Sequence, residues 1–236
     1  LPTVVNNVET FIAAASIIIN GVDWFRSVGT EDSTGTKLLS ISGDCQHPGI
    51  YEYPFGTTIR QILADCGAEN TQAVQIGGPA GQMISPDEFN RCIAYEDLAT
   101  GGSFIIFNDQ RDLLEVVSNF SAFFVHESCG FCTPCRVGTS LIKKRLKKML
   151  ASNATCDDTK TIHTIGLLMR NTSHCGLGVT AANPVMDLMK KFPHVYKHRL
   201  RSTSFEPGFN LDKALEEARQ LTHRDDPGAH LKNGGV

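Results

Sequence analysis

The chain has 236 residues, 41% of them hydrophobic, and a formal net charge of -3 with an isoelectric point near 6.2, enough for one large or two smaller cores. That mildly acidic balance excludes the concentrated basic surface that nucleic-acid binding demands, and the longest apolar stretch, Phe11 to Ile19, is too short for a transmembrane segment and contains Ser16. No charged and apolar leader with a cleavage site opens the sequence, so a soluble, cytoplasmic protein with unpaired thiols is expected; LPTVVNNVET, lacking Met, reads as starting inside a longer polypeptide.

Asn6 or Asn7 can cap a first helix whose apolar residues Val8, Phe11, Ile12, Ala15 and Ile19 recur at helical spacing, with Asn20 and Gly21 as its stop. Its apolar run predicts a buried helix. NNVET is then an N-terminal cap, or, in a sharper role, an anion or cofactor contact at the positive end of a helix. From Thr36 the pattern changes. Lys37 to Ser42 and Gly49 to Tyr53 read as strands around a turn at His47, Pro48 and Gly49, Thr58 to Cys66 as a helix, and Ala73 to Ile76 and Ser103 to Phe107 as further strands. Together they predict a small α+β sheet with its helix on one face. Gly77 to Gly81, GGPAG, lacks the lysine and hydroxyl of a phosphate-binding loop and reads as a turn.

After Asp109 the chain turns helical. Leu113, Val116, Val117, Phe120, Phe123 and Phe124 form one apolar face that ends at ESCGFCTPC; Leu141, Ile142, Leu146, Met149 and Leu150 mark a second helix. Ile162, Ile165, Leu168 and Met169 mark a third, and Val185, Met186, Leu188, Met189 and Phe192 a fourth beginning near Pro184. Amphipathic segments on short links predict a four-helix bundle. The basic run Lys143, Lys144, Arg145, Lys147 and Lys148 shares the second helix with apolar residues and reads as a solvated face, or as a dock for an acidic partner. Past Phe205 a polar tail carries one more amphipathic stretch, Leu211, Leu215, Ala218 and Leu221, and is expected to wrap a neighbour or fray.

Cys129, Cys132 and Cys135 follow the spacing CxxCxxC, and Cys175 lies in SHCGLG. Four thiolates, three from one curling loop and one from a distant segment, are the usual supply for a cubane iron-sulfur cluster. Structural zinc uses the same chemistry but is normally held by two separated Cys or Cys/His pairs, whereas here the second half is one Cys; His174 points away from its neighbour on an ordinary backbone. A zinc-stabilised binding module therefore stays as the alternative. Placed at the ends of the first and third helices, the cysteines would meet at one pole of the bundle. Cys45, Cys66, Cys92 and Cys156 share no spacing and read as core or surface thiols. Arg136, directly after Cys135, is either a lever on the cluster's potential or a salt bridge to Glu127.

VVNNVET, the strand-rich middle, ESCGFCTPCRVGT and SHCGLGVTAANPV, in that order, resemble the family of flavin-containing NADH dehydrogenase subunits, which includes the 51 kDa subunit of respiratory complex I. The likeness covers about residues 1–205, and KHRL with the RDDPGAHL tail is similar to the diaphorase alpha subunit (HoxF type) of soluble NAD-reducing hydrogenases. It implies the end of an FMN/NAD-binding domain at 1–34, a ubiquitin-like β-grasp domain of the soluble-ligand-binding type at 35–110, a four-helix domain with one [4Fe-4S] cluster at 111–205 and a tail at 206–236. Position by position it implies FMN contacts at Val5, Asn6, Asn7 and Thr10, cluster ligands at Cys129, Cys132, Cys135 and Cys175, and a flavin neighbourhood at Gly176 and Leu177. The segments that hold NAD(H) would precede LPTVV, so no catalytic residue is expected here. The implied role is electron transfer in an NAD-linked oxidoreductase, in a hetero-oligomer whose other members are hydrogenase subunits and a ferredoxin-like iron-sulfur subunit; complex I and NAD-dependent formate dehydrogenase are the alternatives.

Overall fold

The computed structural model describes residues 2–203 and 211–225. Asn7 starts the first helix as its sequence predicts: its backbone is extended and its side chain accepts a hydrogen bond from the Glu9 N–H. Helix α1 runs Val8–Asn20 until Gly21, at φ +89°, breaks it, and a short α2 (Val22–Arg26) follows. The expectation of burial fails here. No residue of α1 is buried; Phe11 is 48%, Ile12 61%, Ile18 84% and Ile19 80% exposed. The apolar stripe folds into a helix by local propensity and capping, but burial needs a facing surface. Among the described residues α1 meets α2 and sends Glu9 to the Lys37 ammonium.

Five strands make one mixed sheet: β1 (Thr36–Gly43), β2 (Gly49–Pro54), β3 (Thr71–Ile76), β4 (Gln82–Ile84) and β5 (Ser103–Asn108), ordered β2-β1-β5-β3-β4. β1 and β5 are parallel, Ser40 opposite Ser103; the other pairs are antiparallel. Helix α3 (Ile59–Asp65), capped by the Thr58 hydroxyl on the Gln61 N–H, covers one face. Strand alternation sorts the side chains between two cores. Leu39, Ile41, Val74, Ile76, Phe104 and Ile106 pack with Ile59, Ile62 and Leu63 of α3, while Ala73 and Phe107 point to the opposite side, into the helical part of the chain. GGPAG is a turn, as expected, leading into β4, whose three residues are too few for a periodic signal. Cys66 is the expected core thiol, and burial pushes its pKa up to about 11.

The helical part comprises α4 (Leu113–Glu127), α5 (Thr133–Leu150), α6 (Cys156–Thr172), α7 (Gly176–Thr180), α8 (Asn183–Lys191) and α9 (Pro193–Lys197). Asp112 caps α4 on the Leu114 N–H, and a Thr155/Asp158 capping box opens α6. Leu113, Leu114, Val117, Ile142, Leu146, Ile162, Met169, Val185 and Leu188 fill the common core. Two residues assigned to apolar faces lie outside it: Phe123 is 47% and Leu168 53% exposed. The basic run is only partly solvated, because the buried Asp158 takes Lys148 at 2.7 Å and Arg145 at 3.8 Å, leaving Lys144 and Lys147 exposed. Close approach of α5 and α6 rests on Gly138: a Cβ there would fall 2.5 Å from Met169 Sδ.

Helix α8 binds the sheet edge. Asn183, Asp187 and Lys191, four residues apart on one face, bond the Ala80 carbonyl (3.0 Å), the Met83 N–H (2.9 Å) and the Met83 carbonyl (2.7 Å). The free side of β4 is thereby closed to other strands. A last helix, α10 (Leu211–Thr222), matches the amphipathic stretch of the tail; RDDPGAHL, from Asp226 on, lies outside the described residues. Among the described residues no helix is long and apolar enough to cross a membrane.

Candidate metal centre

Three helix ends deliver the four predicted cysteines. Ser128 terminates α4, donating its N–H to the Phe124 carbonyl, and Cys129 follows; Gly130, at φ +78°, turns the loop back. Cys132 is the N-cap of α5 and Cys135 lies in its first turn, while Cys175 is the N-cap of α7, reached from the end of α6. The spacing works because a helical turn separates Cys132 from Cys135 and the φ-positive glycine lets Cys129 return to them. Cys135 is buried, Cys132 half-buried, and Cys129 and Cys175 are exposed, so the group has a protein side and an open side.

Electrostatics tie the four together. Burial raises the Cys135 thiol, a bond from Ser128 opposes that, and the charges of Cys132, Cys175 and Cys129 raise it further. Cys132 moves the other way: the backbone N–H of His174, with that of Cys135, holds its thiol below the usual range against partial burial. Deprotonation is what a metal ligand needs. The His174 ring stands edge-on to Phe131, with centroids 5.4 Å apart. Among the described residues no three His, Cys, Asp or Glu side chains are grouped tightly enough for a single metal ion. Four all-sulfur donors spread around a shared volume suit a cluster of several atoms better than one ion. The surroundings agree: the Ser173 hydroxyl is buried without a hydrogen-bond partner among the described residues, next to the cysteine that is itself buried.

Arg136 does not pair with Glu127. Its guanidinium instead donates to the Gly130 carbonyl and reaches the Thr133 hydroxyl at 3.5 Å, bracing the cysteine loop from outside. Gly176 is exposed with open space around it, whereas Leu177 is half-buried and packs on the helical core, so packing accounts for part of its presence. Val5, Asn6, Asn7 and Thr10 gather at the start of α1, where Asn6 caps the Asn7 N–H at 2.8 Å and Val5 is 90% exposed. Asn7 and Thr10 line a cavity of about 670 Å³ between α1, α2 and the outer strands, with Trp24, Phe25 and Lys37; none of the four cysteines lines it.

Three site residues escape sequence reading. Ser128 Oγ lies 3.3 Å from Cys135 Sγ, and Thr139 Oγ1 donates to the Cys135 carbonyl at 2.8 Å. Gly178 faces Cys135 so closely that a Cβ would fall 3.0 Å from the Cys135 Cβ and 2.6 Å from Ser173. Only the last had a sequence signal, the paired glycines of GLG directly after Cys175.

Comparison with known proteins agrees with this geometry. Residues 115–199 match the model of the NADH-ubiquinone oxidoreductase-F iron-sulfur binding region. The chain is 46% identical over 217 residues to the alpha subunit of the NAD-reducing hydrogenase HoxS of Cupriavidus necator, covering 91% of this chain and 36% of that protein. It is 35% identical to the F subunit of NADH-quinone oxidoreductase of Mycobacterium bovis, covering 83% of this chain and 46% of the relative. A crystal structure of NAD+-reducing [NiFe]-hydrogenase in the H2-reduced state superposes with a TM-score of 0.84 at 44% identity, over 98% of this chain and 41% of that one. The chain thus spans less than half the length of these relatives. It is a homologue of the alpha subunits of NAD-reducing hydrogenases and of the F subunits of NADH-quinone oxidoreductases, and its residues 115–199 correspond to their iron-sulfur binding region.

Proposed function

We propose that this chain carries single electrons through a [4Fe-4S] cluster held by Cys129, Cys132, Cys135 and Cys175, as part of a soluble, cytoplasmic NAD-reducing hydrogenase. The observation that carries the reading is the meeting of four thiols at three helix ends, one of them buried and all electrostatically coupled. A bound flavin exchanges two electrons with NAD(H) as hydride, whereas a cluster takes one at a time, so the two together convert between the regimes. The chain's own part is positioning. Cys135 is fixed by the α5 backbone and by Ser128, Cys132 by the N–H of His174, and the Arg136 guanidinium keeps the loop closed and supplies a positive charge nearby. Exposure of Cys129 and Cys175 leaves an open side toward which electrons can pass.

In this reading residues 1–34 end an FMN/NAD-binding domain, and Val5, Asn6, Asn7 and Thr10 contact FMN, with Gly176 and Leu177 on its far side. The mixed sheet with α3, at 35–110, is a β-grasp domain; α4, α5, α6 and α8, within 111–205, form a four-helix cluster domain; 206–236 is a tail. Partners are the hydrogenase subunits and a ferredoxin-like iron-sulfur subunit, a choice that the alpha-subunit relative supports. Co-purification of the native assembly with metal analysis tests it. Nickel in stoichiometric amount is expected, while molybdenum or tungsten would assign the chain to a formate dehydrogenase and a quinone-linked assembly without nickel to complex I.

A further inference from the structure

Ser128 is fixed at its place by the end of α4, where its N–H is committed to the Phe124 carbonyl at 3.1 Å. Its hydroxyl has two neighbours. The Gly130 N–H donates to Oγ at 3.3 Å, and Cys135 Sγ lies 3.3 Å from the same oxygen. A serine hydroxyl has one proton to give, while a ligating thiolate has none. With Gly130 occupying an acceptor position on the oxygen, the O–H is left to point at sulfur. Other polar side chains near Cys135 are differently engaged: Thr139 gives its proton to the Cys135 carbonyl, and Ser173 makes no hydrogen bond among the described residues. The neighbouring ligand Cys132 draws on backbone N–H groups, which no substitution removes.

We infer that the Ser128 hydroxyl is a positioning residue for the cluster, donating to the Cys135 thiolate, orienting its sulfur and favouring the reduced state. The inference rests on the cluster reading above. A donor aimed at sulfur stabilises the state with more negative charge, so removing it makes the cluster harder to reduce. Cys135 is only 5% exposed, so water does not readily replace the lost donor.

The test is an EPR-monitored redox titration of the full chain, purified without oxygen, as wild type, Ser128→Ala, Ser128→Thr and Ser128→Val. With a charge-assisted hydrogen bond contributing about 1.5 kcal/mol, Ser128→Ala should lower the reduced-to-oxidised ratio at a fixed potential roughly tenfold, about 59 mV for one electron. Ser128→Thr, which keeps the hydroxyl, should stay close to wild type, and Ser128→Val, its isostere without one, should follow the Ala variant. A Ser128→Ala protein with wild-type iron content and an unmoved midpoint overturns the inference and leaves the cluster reading intact. Should Ala lose the cluster, the Thr and Val variants decide: retention by Thr alone supports the hydroxyl, and equal behaviour of the two overturns it. Wild-type protein without iron defeats the cluster reading itself, a distinct result.

Discussion

Gly178→Ala adds one methyl group beside the buried cysteine, and its effect can be worked from contacts. The new carbon would lie 2.6 Å from both Ser173 Cβ and Oγ and 3.0 Å from Cys135 Cβ, well inside the roughly 3.5–4.0 Å at which carbon atoms pack comfortably. Neither neighbour is the flexible end of a long side chain, so the backbone of α7 or of α5 must give. Overpacking of this kind costs about 1–3 kcal/mol, while replacing a helical glycine by alanine returns about 1 kcal/mol, so a net loss of about 0–2 kcal/mol is expected. The larger consequence is geometric. Displacing Cys135 relative to Cys175 opens the ligand set, and iron per chain in Gly178→Ala should fall well below wild type. Gly176→Ala, two residues earlier, is the control: nothing lies within 4 Å of its Cβ position, so iron content should be unchanged. Both would be assayed by iron and sulfide content and by thermal melting under anoxic conditions. Full iron with an unchanged melting temperature in Gly178→Ala would refute the close approach of α7 to Cys135.

Three further outcomes follow from the same structure. Burial alone would raise the Glu88 carboxyl, but Lys191 at 2.8 Å and the Ser85 N–H and hydroxyl outweigh it and bring its pKa down to about 2 from an unfolded value near 4.5. The folded value is the lower one, so the stabilisation is complete above pH 4.5 and is lost as pH falls toward 2; urea unfolding should find Glu88→Gln less stable than wild type at pH 6 and equal to it at the acid end. Asp187→Ala leaves the Met83 N–H on the closed edge of β4 without its acceptor, a loss of about 1–3 kcal/mol seen as a lower urea midpoint at constant slope. Asp187→Asn, which keeps an acceptor, should recover most of it, since burial already disfavours the Asp187 charge. Ile12→Lys, at a position 61% exposed, should change stability by no more than about 0.5 kcal/mol; a drop of several would mean that α1 has a covered face.

Much of this was legible from residues alone, for physical reasons that differ by element. Asn7 and Gly21 bound α1 because capping and glycine stops are local chemistry, and β1, β2, β5 and the long helices declare themselves by period. The cysteine spacing was equally local, since one helical turn and one φ-positive glycine suffice to bring Cys129, Cys132 and Cys135 round. Burial of α1 was not legible, because a hydrophobic stripe states what a helix can cover and leaves open whether anything covers it. β4 was too short to show alternation. Arg136 was assigned a carboxylate and found a carbonyl instead, and Ser128 and Gly178 depend on where α4, α5 and α7 meet, a tertiary fact that no window of sequence contains.

The central claim is that Cys129, Cys132, Cys135 and Cys175 share one iron-sulfur cluster. Anaerobic purification of the wild-type chain, followed by iron, sulfide and zinc analysis and EPR of the reduced protein, addresses it directly, with Cys175→Ser alongside. The account predicts brown protein with four iron and four sulfide per chain and a reduced-state signal that Cys175→Ser abolishes or strongly alters. Colourless protein holding one zinc, or a cluster indifferent to Cys175→Ser, would contradict it.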